Sequence, residues 1–190
     1  MKSIRRLVCV AAMLVGNAQA ALVSFDTPAL IDIDPVTSVA TYVESGLRFT
    51  GAAAAFLPID GVGSGGSGGL VVLAGGLLRL SNAAGGVFTL ASIDAGLFDP
   101  TGGGADLMAH ALFADNSTQE LLLPLGGLAA FAFTNWANLS EVTFSAQADF
   151  VLDNVLADTG APGTVPEPAS PYLMGAALVA YVMARRRRRT

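Results

Sequence analysis

Between residues 21 and 160, apolar and β-branched runs alternate with glycine, proline, aspartate and asparagine. The runs predict strands over 22–26, 41–50, 54–59, 70–80, 87–93, 107–113, 120–125, 128–133, 140–146 and 150–156. Several have a period of two. Over 140–146, Val142, Phe144 and Ala146 share one face while Glu141, Thr143 and Ser145 share the other. In 150–156, Phe150 and Leu152 share a face before the Asp153-Asn154 pair breaks the apolar run. Nearly every segment is too short or too glycine-broken for a helix of ordinary length; the aliphatic stretch 52–55 is the place most open to a helical turn. Short strands at regular spacing predict an all-β, two-sheet β-sandwich of jelly-roll type. Residues 61–69 hold six glycines in nine positions and predict a flexible surface loop.

The two ends depart from this pattern. Residues 1–20 carry Lys2, Arg5 and Arg6, then an apolar stretch from Leu7 to Gly16, then Ala18-Gln19-Ala20. That order is a secretion signal with cleavage by signal peptidase after Ala20, small residues standing at Ala18 and Ala20. Ten residues of helix span about 15 Å, too short for a permanent anchor in a hydrocarbon core of about 30 Å. At the other end, an uncharged apolar stretch over 169–184 follows Val165-Pro166-Glu167-Pro168 and precedes Arg185, Arg186, Arg187, Arg188 and Arg189. The stretch predicts a membrane-crossing helix of about 24 Å. The arginines stop transfer and hold the C-terminus in the cytoplasm. The organisation expected is therefore signal helix 1–20, β-sandwich ectodomain 21–158, linker 159–164 and C-terminal tail 165–190 with its transmembrane helix.

The tail resembles the PEP-CTERM sorting domain of Gram-negative bacteria. Val165, Pro166, Glu167 and Pro168, the apolar helix and the arginine cluster carry the resemblance, in this order and beside a signal peptide. It implies processing by an exosortase, a membrane-embedded transpeptidase-like enzyme. It also implies an inner-membrane intermediate, association with exopolysaccharide, and delivery to the cell surface, outer membrane or extracellular matrix.

Charge narrows the partners of the middle domain. Residues 21–160 hold two arginines, Arg48 and Arg79, against fourteen acids, a formal charge of −12 that whole-chain counting dilutes to −5. Such a domain repels polyanions, which excludes nucleic-acid binding. The only cysteine, Cys9, lies within the signal, so the domain has no disulfide. Gly65-Gly66-Ser67-Gly68-Gly69 fits the nucleophile-elbow pattern, with Asp94 and His110 following in hydrolase order. An elbow needs a strand before it and a helix after it, and a glycine–serine loop matches by composition alone. His110 is the only histidine, which excludes multi-histidine metal centres and fits an ordinary strand position. The domain is thus expected to be non-enzymatic.

Parts of the domain are similar to those found ahead of PEP-CTERM tails, and through them to galactose-binding-like, carbohydrate-binding jelly rolls. Residues 42–49, 88–94 and 150–155 carry this resemblance. It implies a structural calcium held by Asp153 on the last strand and Asp26 near the first. Trp136, between Asn135 and Asn138, is a candidate sugar platform, against the commoner fate of a lone tryptophan in the core. The function expected is carbohydrate binding within exopolysaccharide. The alternative is a purely structural matrix protein that self-associates through weakly charged strand edges, with a secreted hydrolase as a lesser rival.

Overall fold

The computed structural model describes residues 20–26 and 31–160, and the predicted signal helix, sorting motif and transmembrane helix lie outside them. Thirteen strands are present among the described residues: β1 (Ala21–Val23), β2 (Asp32–Ile33), β3 (Val39–Glu44), β4 (Leu47–Ala52), β5 (Phe56–Ile59), β6 (Gly69–Val72), β7 (Leu77–Asn82), β8 (Thr89–Leu97), β9 (Ala105–Phe113), β10 (Thr118–Leu125), β11 (Ala129–Ala132), β12 (Leu139–Ala146) and β13 (Phe150–Asp158). One sheet runs β11-β8-β13-β6-β5, with β1 also on β13; the other runs β10-β9-β12-β7-β4-β3-β2. The all-β two-sheet sandwich expected from the strand spacing is the architecture found.

Period-two patterning positions the core. On β9, Leu107, Ala109 and Ala111 are buried while Asp106 and Met108 are exposed. On β12, Val142, Phe144 and Ala146 point inward as the alternation predicts. An aromatic group of Phe25, Tyr42 and Phe49, with centroids 5.3 to 5.9 Å apart, packs at one end. Its geometry is tilted and edge-on, as the ring quadrupoles favour. Among the described residues, the core runs from Val23 to Ala157 and draws on both sheets.

Three expected elements are corrected. The single run 41–50 is a hairpin, in which Ser45 (φ 51°) and Gly46 (φ 80°) form the two-residue turn between β3 and β4. The run 70–80 splits between sheets. Leu70 and Val72 enter the core from one sheet, and Leu78 and Leu80 from the other. Between them a turn closes with the Gly76 N–H donating to the Leu73 carbonyl at 2.8 Å. Residues 52–55 are no helix but the end of β4 and the turn after it.

The glycine segment is also unlike its expectation. It contains a short 3-10 turn, Ser64–Gly66, and folds onto the outer side of β13. Val151, against Gly69, is 3% exposed although it stands outside the main core. That cover explains why Phe150 to Asp153 are buried on both faces of a sandwich strand.

Candidate functional site

The outward face of the seven-stranded sheet carries two side-chain rows in register. In one, Asp32 pairs with Thr41, Thr41 with Thr50, Thr50 with Arg79, Arg79 with Thr143, Thr143 with His110, and His110 with Glu120. The row therefore crosses all seven strands, one polar side chain per strand. Beside it runs an apolar row in which Leu77 pairs with Ser145, Ser145 with Met108, and Met108 with Leu122. Leu77, Met108 and Leu122 are 42%, 40% and 62% exposed. Both rows follow from alternation: residues between the buried positions of β7, β9, β10 and β12 must face solvent.

Toward β3 the face deepens into an open depression of about 780 Å³, lined by Val39, Thr50, Ala52, Ala55, Leu77 and Arg79 among others. Small alanine and glycine side chains leave its floor wide and apolar, and Arg79 stands at its margin. The Arg79 guanidinium meets Glu141 Oε1 at 3.2 Å, and the Thr143 hydroxyl donates to the same oxygen at 3.3 Å. Both partners are substantially exposed, so the pair orients Arg79 more than it stabilises the fold. The other arginine of the domain, Arg48, donates to the Ala83 carbonyl at 2.8 Å.

The residues singled out in the sequence are placed differently. Trp136 is 2% exposed and packs on Phe133 with centroids 4.4 Å apart, so it presents no ring face to a sugar. The candidate platform is a core residue because Asn135 and Asn138, both at positive φ, turn the loop inward around it. His110 is half-buried in its strand, as expected, and belongs to the polar row. Ser67 and Asp94 lie on the six-stranded sheet's outer side, across the sandwich from His110, so hydrolase order in the chain does not become a triad in space.

Asp26 and Asp153 do converge, on the glycine segment. Asp153 is fully buried; its Oδ2 accepts from the Ser64 N–H at 2.7 Å and lies 3.0 Å from the Ser67 hydroxyl, and its Oδ1 accepts from the Asn154 N–H at 2.7 Å. Asp26 Oδ1 accepts from the Gly68 N–H at 3.0 Å. Asp94 stands directly opposite Asp153, and the Asn154 side chain donates to Asp94 Oδ2 at 2.8 Å. Asn154 reaches it from a positive φ of 44°, at a register shift within β13 rather than at a strand end. Calcium requires six to eight oxygen ligands. The Ser64 and Asn154 N–H groups each take one Asp153 oxygen, and no group of three acidic, histidine or cysteine side chains suited to a metal occurs among the described residues. Asp26 and Asp153 by themselves fall short of the ligand number calcium requires.

Other titrating groups are structural. Burial, and then the hydrogen bond to Glu44, pushes the Tyr42 hydroxyl well above its ordinary value. Turn hydrogen bonds hold three exposed carboxyls below theirs: the Val36 N–H on Asp34, the Thr101 hydroxyl on Asp99 and the Ser117 hydroxyl on Asp115.

The PEP-CTERM protein-sorting motif matches this chain over residues 164–189. Curated proteins give no match. Among solved structures, the sandwich is similar to the CBM22-1–GH10 modules of Clostridium thermocellum endo-1,4-β-D-xylanase 10B, solved with xylohexaose. There the identity is 13% and the TM-score 0.39, over 72% of this chain and 27% of that one. This chain thus spans about a quarter of that protein's length. The CBM22-1 xylan-binding domain of Paenibacillus barcinonensis xylanase 10C aligns at 11% identity and a TM-score of 0.40, over 74% of this chain and 92% of its own. The C-terminal family 22 carbohydrate-binding module of the Clostridium thermocellum enzyme aligns at 13% identity and a TM-score of 0.38, over 58% and 85%.

Proposed function

We propose that this is a non-enzymatic carbohydrate-binding protein of the cell surface or extracellular matrix, with the outward face of the seven-stranded sheet meeting exopolysaccharide. The sorting motif at 164–189 supports export through an exosortase-type system, by way of an inner-membrane intermediate in a Gram-negative bacterium. The in-register rows carry the binding reading. Neighbouring strands lie about 4.8 Å apart, so Thr50, Arg79, Thr143, His110 and Glu120 repeat at a step close to one sugar unit of an extended glycan. Hydroxyls of a chain laid across the strands meet this row, and the apolar sides of its rings meet Leu77, Met108 and Leu122. With a formal charge of −12 over residues 21–160, the domain selects neutral or cationic polysaccharide over acidic polymers.

The test uses residues 21–160, which contain every core residue among the described ones, on immobilised xylan, β-glucan and chitosan. Saturable binding to at least one is expected, weakened about tenfold or more in the triple variant Arg79→Ala, Thr143→Val, His110→Ala, with thermal unfolding little changed because these side chains face outward. Absence of saturable binding, or binding untouched by the triple variant, would remove the reading. Product release from any of the polymers would restore the hydrolase rival.

A further inference from the structure

Open sheet edges offer unpaired backbone N–H and C=O groups, and folded proteins blunt them by shortness, proline, bulges or lysine. Among the described residues, most open-edged strands here are blunted. β1, β2, β5 and β11 have two to four residues each, and Pro58 interrupts β5. β10 differs. It has eight residues and pairs with β9 over its whole length without a register shift. Apart from this ladder to β9, its backbone makes no hydrogen bond to another element among the described residues. It contains no lysine or arginine, one acid, Glu120, and one proline, Pro124, close to its end.

The apolar row ends on this edge at Leu122, which at 62% exposed is the most exposed large apolar side chain on the strand. We propose that β10 is a self-association edge, and that two copies pair β10 against β10 in antiparallel fashion about Leu122. An antiparallel strand pair can be two-fold symmetric, so one edge serves both copies. The register follows from charge and apolarity. Pairing about Glu120 sets two carboxylates directly opposite each other, which is unfavourable. Pairing about Leu122 places Glu120 opposite Pro124 of the second copy and joins the two apolar rows end to end. The two seven-stranded sheets then become one continuous sheet, and the face proposed above to meet glycan doubles in width. Bivalency of this kind strengthens attachment to a polymer without any new contact to it.

Each domain carries the same large negative charge, so association should strengthen with salt. Sedimentation equilibrium of residues 21–160, without glycan, is expected to show a monomer–dimer equilibrium that tightens between low salt and about 0.5 M. Leu122→Lys should weaken the dimer about tenfold or more, because two lysines then face each other at the axis, although the change lowers the net charge. Leu122 is exposed, so folding survives the change and unchanged thermal unfolding checks it. In Leu122→Cys the domain has no other cysteine, and oxidation should give a disulfide-linked dimer in high yield. A monomer at every concentration and salt, a dimer of unaltered affinity in Leu122→Lys, or no disulfide-linked dimer in Leu122→Cys would each overturn the proposal. None of these measurements involves a glycan, so their failure leaves the binding reading untouched, and loss of that reading leaves the dimer.

Discussion

At the residue scale, Asp153 shows how hydrogen bonds hold a buried carboxyl group in place. A carboxylate out of water is costly unless hydrogen bonds replace its hydration. Here the Ser64 and Asn154 N–H groups do so, and no buried side-chain polar atom is left unpartnered among the described residues. Asp153→Ala strands these donors and should lower the unfolding free energy by about 3 kcal/mol, read by urea denaturation. Calcium or chelator should leave the midpoint of the native domain unmoved; a calcium-dependent rise would mean that the donors are displaced by a cation. Tyr42 sets the alkaline limit. Its hydroxyl donates to Glu44 from a buried position, and its folded pKa is raised above the ordinary 10.0. The stability it contributes is therefore complete below pH 10 and is lost as pH rises from there through the folded value. Tyr42 is the only tyrosine, and there is no lysine, between residues 21 and 160. The alkaline fall in urea midpoint should accordingly vanish almost entirely in Tyr42→Phe. Asp34, Asp99 and Asp115 act in the opposite sense. Their pKa values are lowered, so their contribution is present above the ordinary 3.8 and is lost as pH falls below it.

At the element scale, the glycine segment 61–69 is a fixed cover. A Cβ on Gly63 would lie 2.0 Å from the Gly68 carbonyl oxygen and 2.6 Å from Asp153 Oδ2. Gly63→Ala must therefore push the segment off the carboxylate and should cost about 2–3 kcal/mol of unfolding free energy, with faster proteolysis within 61–69. Gly127→Ala is the matched control: nothing lies within 4 Å of its Cβ and its φ is not left-handed, so its midpoint should hold or rise slightly. Composition announced a loop here and placed it correctly, but composition does not encode what the loop rests on. The partners of Ser64 and Ser67 lie 89 and 86 residues away. The same limit explains the two merged strands. Ser45-Gly46 and the Ala74-Gly75-Gly76 turn are short breaks inside continuous apolar runs, and an apolar run reads alike whether it is one strand or two. Where alternation was clean, as over 140–146 and 107–113, strand and inward face were both legible.

At the scale of the whole molecule, β13 is the strand on which the six-stranded sheet depends. It pairs with β8, β6 and β1, so the last strand of the domain closes onto the first, Ala21 opposite Ala157. Completion of the fold waits for the end of the domain sequence. The exit from β13 is held as well: the Asn82 side chain donates to the Thr159 carbonyl at 2.8 Å. The candidate site belongs to this scale too. Its row is assembled from seven strands, half of whose neighbouring pairs are non-consecutive in the chain, and each member is an ordinary Asp, Thr, Arg, His or Glu in its own segment. No local pattern marks such a site, whereas Trp136, the residue that chemistry recommends, was drawn inside by packing.

By itself the sequence determined the all-β class, the inward face of the alternating strands, the acidity of the domain and the sorting motif at its C-terminal end. All of these depend on nearest neighbours, on period two or on net composition, which a linear chain carries openly. Tertiary structure alone decided which carboxylate is buried, which aromatic is hidden, which side chains share a row and which strands stand at the sheet edges among the described residues. Those depend on strand order and register, and both are set by long-range burial that the chain acquires only when its two sheets close on each other.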